Sequence, residues 1–205
     1  MEEKINAKAV KDFFDQRAEN WDKEVHHQPA KIRHLLSFLD LPPSARVLDV
    51  GSGTGVLVPY LKEKLTGEGT IIELDPSSSM IEIARRKWGE EGIEYFEAEI
   101  EEFSYDKKFN CIICYSSFPH FKDKKRAVQN MFNLLTEGGL VAVLHSEGRD
   151  RINQHHQTQM VGFDHLPPIA SLALLFQEVG FTPIHQEDSE DYYLLIGKKV
   201  VDFSD

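Results

Sequence analysis

The segment Asp49-Val50-Gly51-Ser52-Gly53-Thr54-Gly55 gathers one acid and three glycines within seven residues. Glycine lets the main chain approach a ligand closely, and at a strand-to-helix turn it leaves helix N-terminal N–H groups free for an anionic group. A dinucleotide fingerprint beginning at Gly51 needs Gly or Ala at position 56. That position is Val56, so the nicotinamide pattern fails. Two acids extend the signal. Asp75 lies 20 residues beyond Gly55, where a carboxylate can accept both hydroxyls of a ribose, and Glu99 follows the next short apolar run. Glycines and carboxylates at the carboxyl ends of three successive strands converge on the crevice in which open α/β sheets bind ligands.

The elements that must hold these residues are legible in the flanking pattern. Arg46-Val47-Leu48-Asp49-Val50 has the length and β-branched content of a buried strand, and the glycines follow at once. The rhythm then repeats, with a helix over 57–65, a strand over 70–74, a helix over 80–88 and a strand over 93–96. Strands over 109–114 and 140–144 enclose a helix from about 126 to 135 that Gly138-Gly139 closes. Alternation of this kind implies parallel strands joined by right-handed crossovers. A helix over 169–179 ends at Gly180, and strands over 181–185 and 192–196 flank a short acidic turn that permits only an antiparallel hairpin. The expected fold is α/β: a Rossmann-like, doubly wound, mostly parallel seven-stranded sheet with one antiparallel strand near its edge. Ahead of it, Val10, Phe13, Phe14, Arg17 and Trp21, then Ile32, Leu35, Leu36 and Leu39, recur at helical spacing until Pro42-Pro43 stops the second run. The expected organisation is one domain, divided into a helical cap (1–40), a core (45–147), an insertion (148–167) and a terminal helix with hairpin (168–205).

Composition narrows the partners. The chain has 205 residues, 41% of them hydrophobic and 28% charged, enough for an ordinary folded core. Its 34 acidic and 23 basic side chains give a formal net charge of -11, which disfavours nucleic acid and anionic membrane surfaces. No apolar run approaches the roughly 20 residues of a membrane span, and the N-terminal residues lack a signal pattern, so a cytoplasmic protein is expected. Cys111 and Cys114, three apart in a strand, point to opposite faces and make a poor redox or zinc pair.

With these motifs in place, the chain resembles the class I S-adenosylmethionine-dependent methyltransferases. Val47 to Gly55 looks like their first motif, and Ile71-Ile72-Glu73-Leu74-Asp75-Pro76-Ser77 with Met80 is similar to the second. Phe96 to Glu101 resembles the third, Phe109 to Cys114 the fourth strand, and Leu134 to Leu140 the turn before strand five. The resemblance implies S-adenosyl-L-methionine as cofactor. Gly51, Ser52 and Gly53 would pass along its methionine part with Asp49 near the ammonium, and Gly55 would belong to the same cofactor loop. Asp75, followed by Pro76, would take the ribose hydroxyls. Glu99 would accept from the adenine amino group with Ile100 on the ring, and Tyr115 and Ser116 would face cofactor and acceptor. The family more often has Asp where Glu99 stands, which leaves Glu97 as a substitute.

The acceptor side is less defined. The segment from Phe13 to Asp22 resembles the cap of ubiquinone and menaquinone biosynthesis C-methyltransferases, so Phe14 and Trp21 would either close over the acceptor or pack an aromatic face on the core. His120 and His145 fall where the methyl would be delivered and are the candidate proton acceptors. If residues 149–160 are helical, Arg149, Asn153, His156 and Met160 share a stripe, either an anionic-acceptor face or a solvated one. His145, His155, His156 and His165 invite a metal reading, but no short ligand spacing such as H-E-x-x-H is present and no metal is expected. His26-His27 and His185 are expected at surface or cap positions. After strand four the chain reads Tyr115-Ser116-Ser117-Phe118, not the Asn/Asp-Pro-Pro-aromatic motif of amino-group methylation. The expected function is methyl transfer to a small-molecule acceptor, with a non-catalytic cofactor-binding module or, less favoured, a nicotinamide oxidoreductase as alternatives. Acceptor, methylated atom and oligomeric state are left open.

Overall fold

A computed structural model of the protein describes residues 2–66, 69–158 and 165–200; the side chains of residues 2–9 and 156–158 lie outside that description. Seven strands form one sheet: β1 (Arg46–Val50), β2 (Thr70–Asp75), β3 (Ile93–Glu97), β4 (Phe109–Tyr115), β5 (Leu135–His145), β6 (Phe181–Asp188) and β7 (Tyr193–Lys199). Their order is β3-β2-β1-β4-β5-β7-β6. The first five run parallel, and β7 is antiparallel to both of its neighbours. The expected antiparallel strand is therefore present one place in from the edge. It sits there because a four-residue connection (189–192) can only turn β6 back on itself.

Eight α-helices accompany the sheet among the described residues: α1 (Glu2–Arg17), α2 (Trp21–Glu24), α3 (Pro29–Ser37), α4 (Val58–Lys64), α5 (Ser78–Trp88), α6 (Lys124–Leu134), α7 (Arg149–Thr158) and α8 (Ile169–Val179). β1, β2 and β4 are buried nearly throughout because both sheet faces are covered. One apolar layer runs through Leu48, Ile72, Ile112, Cys114, Met131 and Phe176, the other through Val47, Ile71, Cys111, Ile113, Leu35 and Leu61. Cys111 and Cys114 thus fall in different layers, as the period of two requires, and burial pushes both thiols upward, Cys111 to about 12.

Three boundaries differ from the sequence reading. α3 ends at Ser37, well before Pro42-Pro43; Leu39 is buried just outside it, its N–H on the Leu36 carbonyl. The run through Trp21 breaks at a short 3-10 turn, Ala18–Asn20, into α1 and α2. Gly138-Gly139 does not cap α6: the helix stops at Leu134 and β5 begins at once, with the glycines inside it beside a register shift between Phe109 and Cys111. A glycine at positive φ inside a strand marks such an irregularity as readily as a helix end.

Candidate active site

The sheet reverses its winding between β1 and β4, the neighbours from which the chain proceeds in opposite directions. At the carboxyl ends of the strands there, a cavity of about 580 Å³ opens, within the size range of small-ligand sites. Each successive parallel strand delivers residues to it: Gly51, Ser52 and Gly53 after β1, Asp75 and Pro76 at the end of β2, Glu99 and Ile100 after β3, Tyr115 and Ser116 at the end of β4, and His145 with Ser146 at the end of β5.

The glycine loop is bound to the tip of β2. The N–H groups of Gly51 and Ser52 donate to the Leu74 carbonyl at 2.7 and 3.1 Å, and Gly53 N–H donates to Asp75 Oδ2 at 2.9 Å. Asp75 Oδ1 accepts from Ser77 N–H at 2.8 Å. Each carboxylate oxygen keeps a lone pair for a further donor. Burial pushes Asp75 up to about 6 against the opposing pull of these two N–H groups. Gly51 must be glycine: φ is +67°, and a Cβ would come within 2.4 Å of the Ser117 Cβ. Ser116, directly after β4, holds φ at +56° without being glycine, and such strained residues collect at ligand sites.

Behind the loop lies a buried acid pair. Asp49 on β1 stands in register with Glu73 on β2, and both are fully buried. Desolvation first, then repulsion from Asp75 on Asp49 and from Asp49 on Glu73, holds each carboxyl well above the usual range. Asp49 Oδ2 has no hydrogen-bond partner among the described residues. A cationic group reaching this pocket floor would relieve that deficit.

Residues 21–186 match the family described as Methyltransferase domain. The chain belongs to that family. A malonyl-[acyl-carrier protein] O-methyltransferase of Acetivibrio thermocellus is 31% identical over 140 residues, 67% of this chain and 49% of that protein. A ubiquinone/menaquinone biosynthesis C-methyltransferase UbiE of Vibrio cholerae is 33% identical over 107 residues, 50% of this chain and 41% of its own length. This chain spans about half the length of such relatives. Among solved structures, a SAM-dependent methyltransferase from Aquifex aeolicus superposes with a TM-score of 0.70 at 17% identity over 91% of this chain and 98% of that one. Magnesium protoporphyrin IX methyltransferase (ChlM) from Synechocystis, solved with bound SAH, gives 0.72 at 14% identity over 95% and 99%. These likenesses carry the fold: it is the Rossmann-like methyltransferase fold.

The expected cofactor residues divide into two groups. Gly51, Ser52, Gly53, Asp75, Pro76, Glu99, Ile100, Tyr115 and Ser116 line the cavity; Asp49 and Gly55 do not. Asp49 lies under its floor. Gly55, at φ +78°, packs against Trp88, where a Cβ would come within 2.7 Å of the indole, whose Nε1 donates to the Thr54 carbonyl at 3.1 Å. Its glycine serves helix packing, not ligand approach. Glu99 pairs with Lys122, which also lines the cavity, whereas Glu97 pairs with Lys11 at 2.6 Å and lies away from it. Among the described residues, no three His, Cys, Asp or Glu side chains are grouped to hold a metal ion.

Cap and insertion frame the far side. Val10, Phe13, Phe14, Trp21, Val25 and His27 line the cavity from α1, α2 and the turn that follows. Phe14 meets Trp21 and His120 edge-on at 5.3 Å in each case. The cap is tied down by its own acids: Asp22 accepts from Thr54 Oγ1 and Lys87 Nζ, both at 2.6 Å, and Asp15 accepts from Ser77 Oγ at 2.5 Å. Burial alone would raise Asp22, but these donors carry it below the ordinary value. His120 and His145 both line the cavity, as do Glu147, Ile152 and His155 from the insertion.

The acceptor stripe on α7 is corrected in part. Arg149 turns away to Asp188 on β6 at 2.9 Å and to Asp150 at 3.0 Å. Asn153 is spent on main chain, donating to the Leu166 carbonyl at 3.0 Å and accepting from its N–H at 2.8 Å. Both anchor α7, since an otherwise unsatisfied arginine and amide find nearer partners than the cavity. The His156 side chain and Met160 lie outside the described residues. Sequence reasoning missed His27, whose Nδ1 stands 3.0 Å from the Tyr115 hydroxyl. Nothing local marks it, because its partner is 88 residues away.

Proposed function

We propose that this protein transfers a methyl group from S-adenosyl-L-methionine to a small-molecule acceptor. The observation that carries the reading is the bond from Gly53 N–H to Asp75, which closes the tips of β1 and β2 around one cavity that Glu99, Ile100, Tyr115 and Ser116 complete. The residues fit such a cofactor. Asp75 retains acceptor capacity for two ribose hydroxyls, Glu99 and Ile100 suit the amino edge and face of adenine, and the acid under the floor suits an ammonium. When bound, the cofactor supplies an activated methyl and its own leaving group.

What is left to the protein is alignment, water exclusion and proton handling. Phe13, Phe14 and Trp21 give the acceptor end an apolar wall and shut water out. His120 and His145, on that side, are candidates to take a proton. The relatives are named for O-methylation of a malonyl-[acyl-carrier protein] and for C-methylation in ubiquinone/menaquinone biosynthesis, so an acceptor with an apolar body and one oxygen or activated carbon at the reacting end suits this wall. A cytoplasmic location accords with this reading; no described helix is long and apolar enough to cross a membrane.

Isothermal titration with S-adenosylhomocysteine tests the cofactor site. Asp75→Ala is expected to weaken binding by about 1–3 kcal/mol through loss of the ribose hydrogen bonds. Unchanged affinity would remove Asp75 from the site.

A further inference from the structure

The cavity holds a hydrogen-bonded chain of three side chains, of which the sequence motifs mark only Tyr115. His27, between α2 and α3, places Nδ1 3.0 Å from Tyr115 Oη at the end of β4, and that hydroxyl donates to Ser146 Oγ at 3.1 Å beyond β5. All three residues line the cavity. Tyr115 is buried and fixed by the sheet, so the chain is anchored at its centre. The His27 ring further packs on the Tyr115 ring, with centroids 5.3 Å apart.

A phenol has one hydrogen. With the phenol hydrogen on His27 the ring would be Nε2–H; with it directed to Ser146 Oγ, the hydrogen in the His27 contact comes from the imidazole, which sets the Nδ1–H tautomer. The lone pair then resides on Nε2. An orienting partner on one ring nitrogen and a free lone pair on the other is the arrangement of a general base.

We propose that His27, set in its tautomer by Tyr115 and Ser146, is the base that deprotonates an O–H acceptor in this cavity. This rests on the methyltransferase reading above and deepens it. The acceptor's X–H proton passes to His27 Nε2, the electron pair of that bond remains on X as the nucleophile, and the imidazolium later returns its proton to solvent. The chemical class is a phenol, enol or hydroquinone; a carboxylate acceptor has no proton to give.

The charges around the ring agree. Burial first lowers the His27 value, against an opposing pull from Asp22, and His26 and Lys87 add to the lowering, a net shift that favours the neutral ring. Asp22 is already occupied by Thr54 and Lys87. Glu147 and His155 share the cavity from the insertion.

Histidine-selective nitrogen NMR on the S-adenosylhomocysteine complex reads the tautomer directly. Expected are an Nδ1–H ring for His27, a midpoint below the ordinary 6.5, and loss of the bias toward Nδ1–H in Tyr115→Phe and in the milder Ser146→Ala. An Nε2–H ring, or one protonated at pH 7, would overturn the proposal. Turnover is read on catechol and 1,4-dihydroxynaphthalene as probe acceptors: on whichever the wild type methylates, His27→Gln lowers kcat at least 100-fold with KM little changed. Equal turnover overturns it. If S-adenosylhomocysteine does not bind the wild type at all, the cofactor reading fails instead, and titration separates that outcome.

Discussion

Asp75 carries two loads that pull in opposite directions. Its carboxyl is buried, which favours the neutral acid, yet the ribose hydroxyls proposed above would need the carboxylate. Because its folded value is raised to about 6, its contribution to the stability of the cofactor-free protein is complete below the ordinary carboxylate range and lost as pH rises through 6. Ligand binding has the opposite sign. Hydroxyl donors favour the ionised form, so S-adenosylhomocysteine affinity is expected to be level above about pH 6 and to fall as pH drops through it. Titrations from pH 5 to 8 check this, and affinity that rose on acidification would contradict it. At this scale Asp75 was legible because strand, spacing and residue type agreed. Arg149 was misread because a helical stripe gives a direction only, and Asp188 lay on a strand its own segment could not announce.

At the scale of elements, the glycine loop and the cap are joined parts. Gly51 lets the loop pass Ser117, whose Oγ donates to the Val50 carbonyl at 2.5 Å, so β1 and β4 are locked where the cavity opens. Gly51→Ala adds a Cβ at a left-handed position and into that contact, with an expected cost of about 2–5 kcal/mol and a correspondingly lower Tm in thermal unfolding. The cap depends instead on polar ties. Removing Asp22 by Asp22→Ala frees α2 from Thr54 and Lys87, so hydrogen exchange over residues 10–25 is expected to quicken while the sheet stays protected. Equal protection in the variant would show that aromatic packing alone holds the cap. The parallel strands were legible because both-face burial writes continuous apolar runs. The end of α6 was not, since Gly138 reads alike as a helix cap and as a strand irregularity.

For the molecule as a whole, doubly wound topology explains why residues as distant as Gly51 and Glu147 meet: each parallel strand ends at the same sheet edge, and the crevice opens where the winding reverses. That convergence follows from βα alternation, so the meeting of the glycine loop, Asp75 and Glu99 at one crevice was readable from order and spacing, while what they would hold was implied only by the resemblance. The opposite wall is built from the cap and insertion, which meet the core through side-chain contacts such as His27 with Tyr115, and no periodicity records them. On the proposed reading, one cavity receives the adenosyl group along the tips of β1, β2 and β3. A crystal structure of the S-adenosylhomocysteine complex is the decisive measurement. Expected are ribose hydroxyls on the Asp75 carboxylate, adenine beside Glu99 and Ile100, and the methionine part along Gly51 to Gly53. A ligand bound elsewhere, or with its ribose turned away from Asp75, would contradict it.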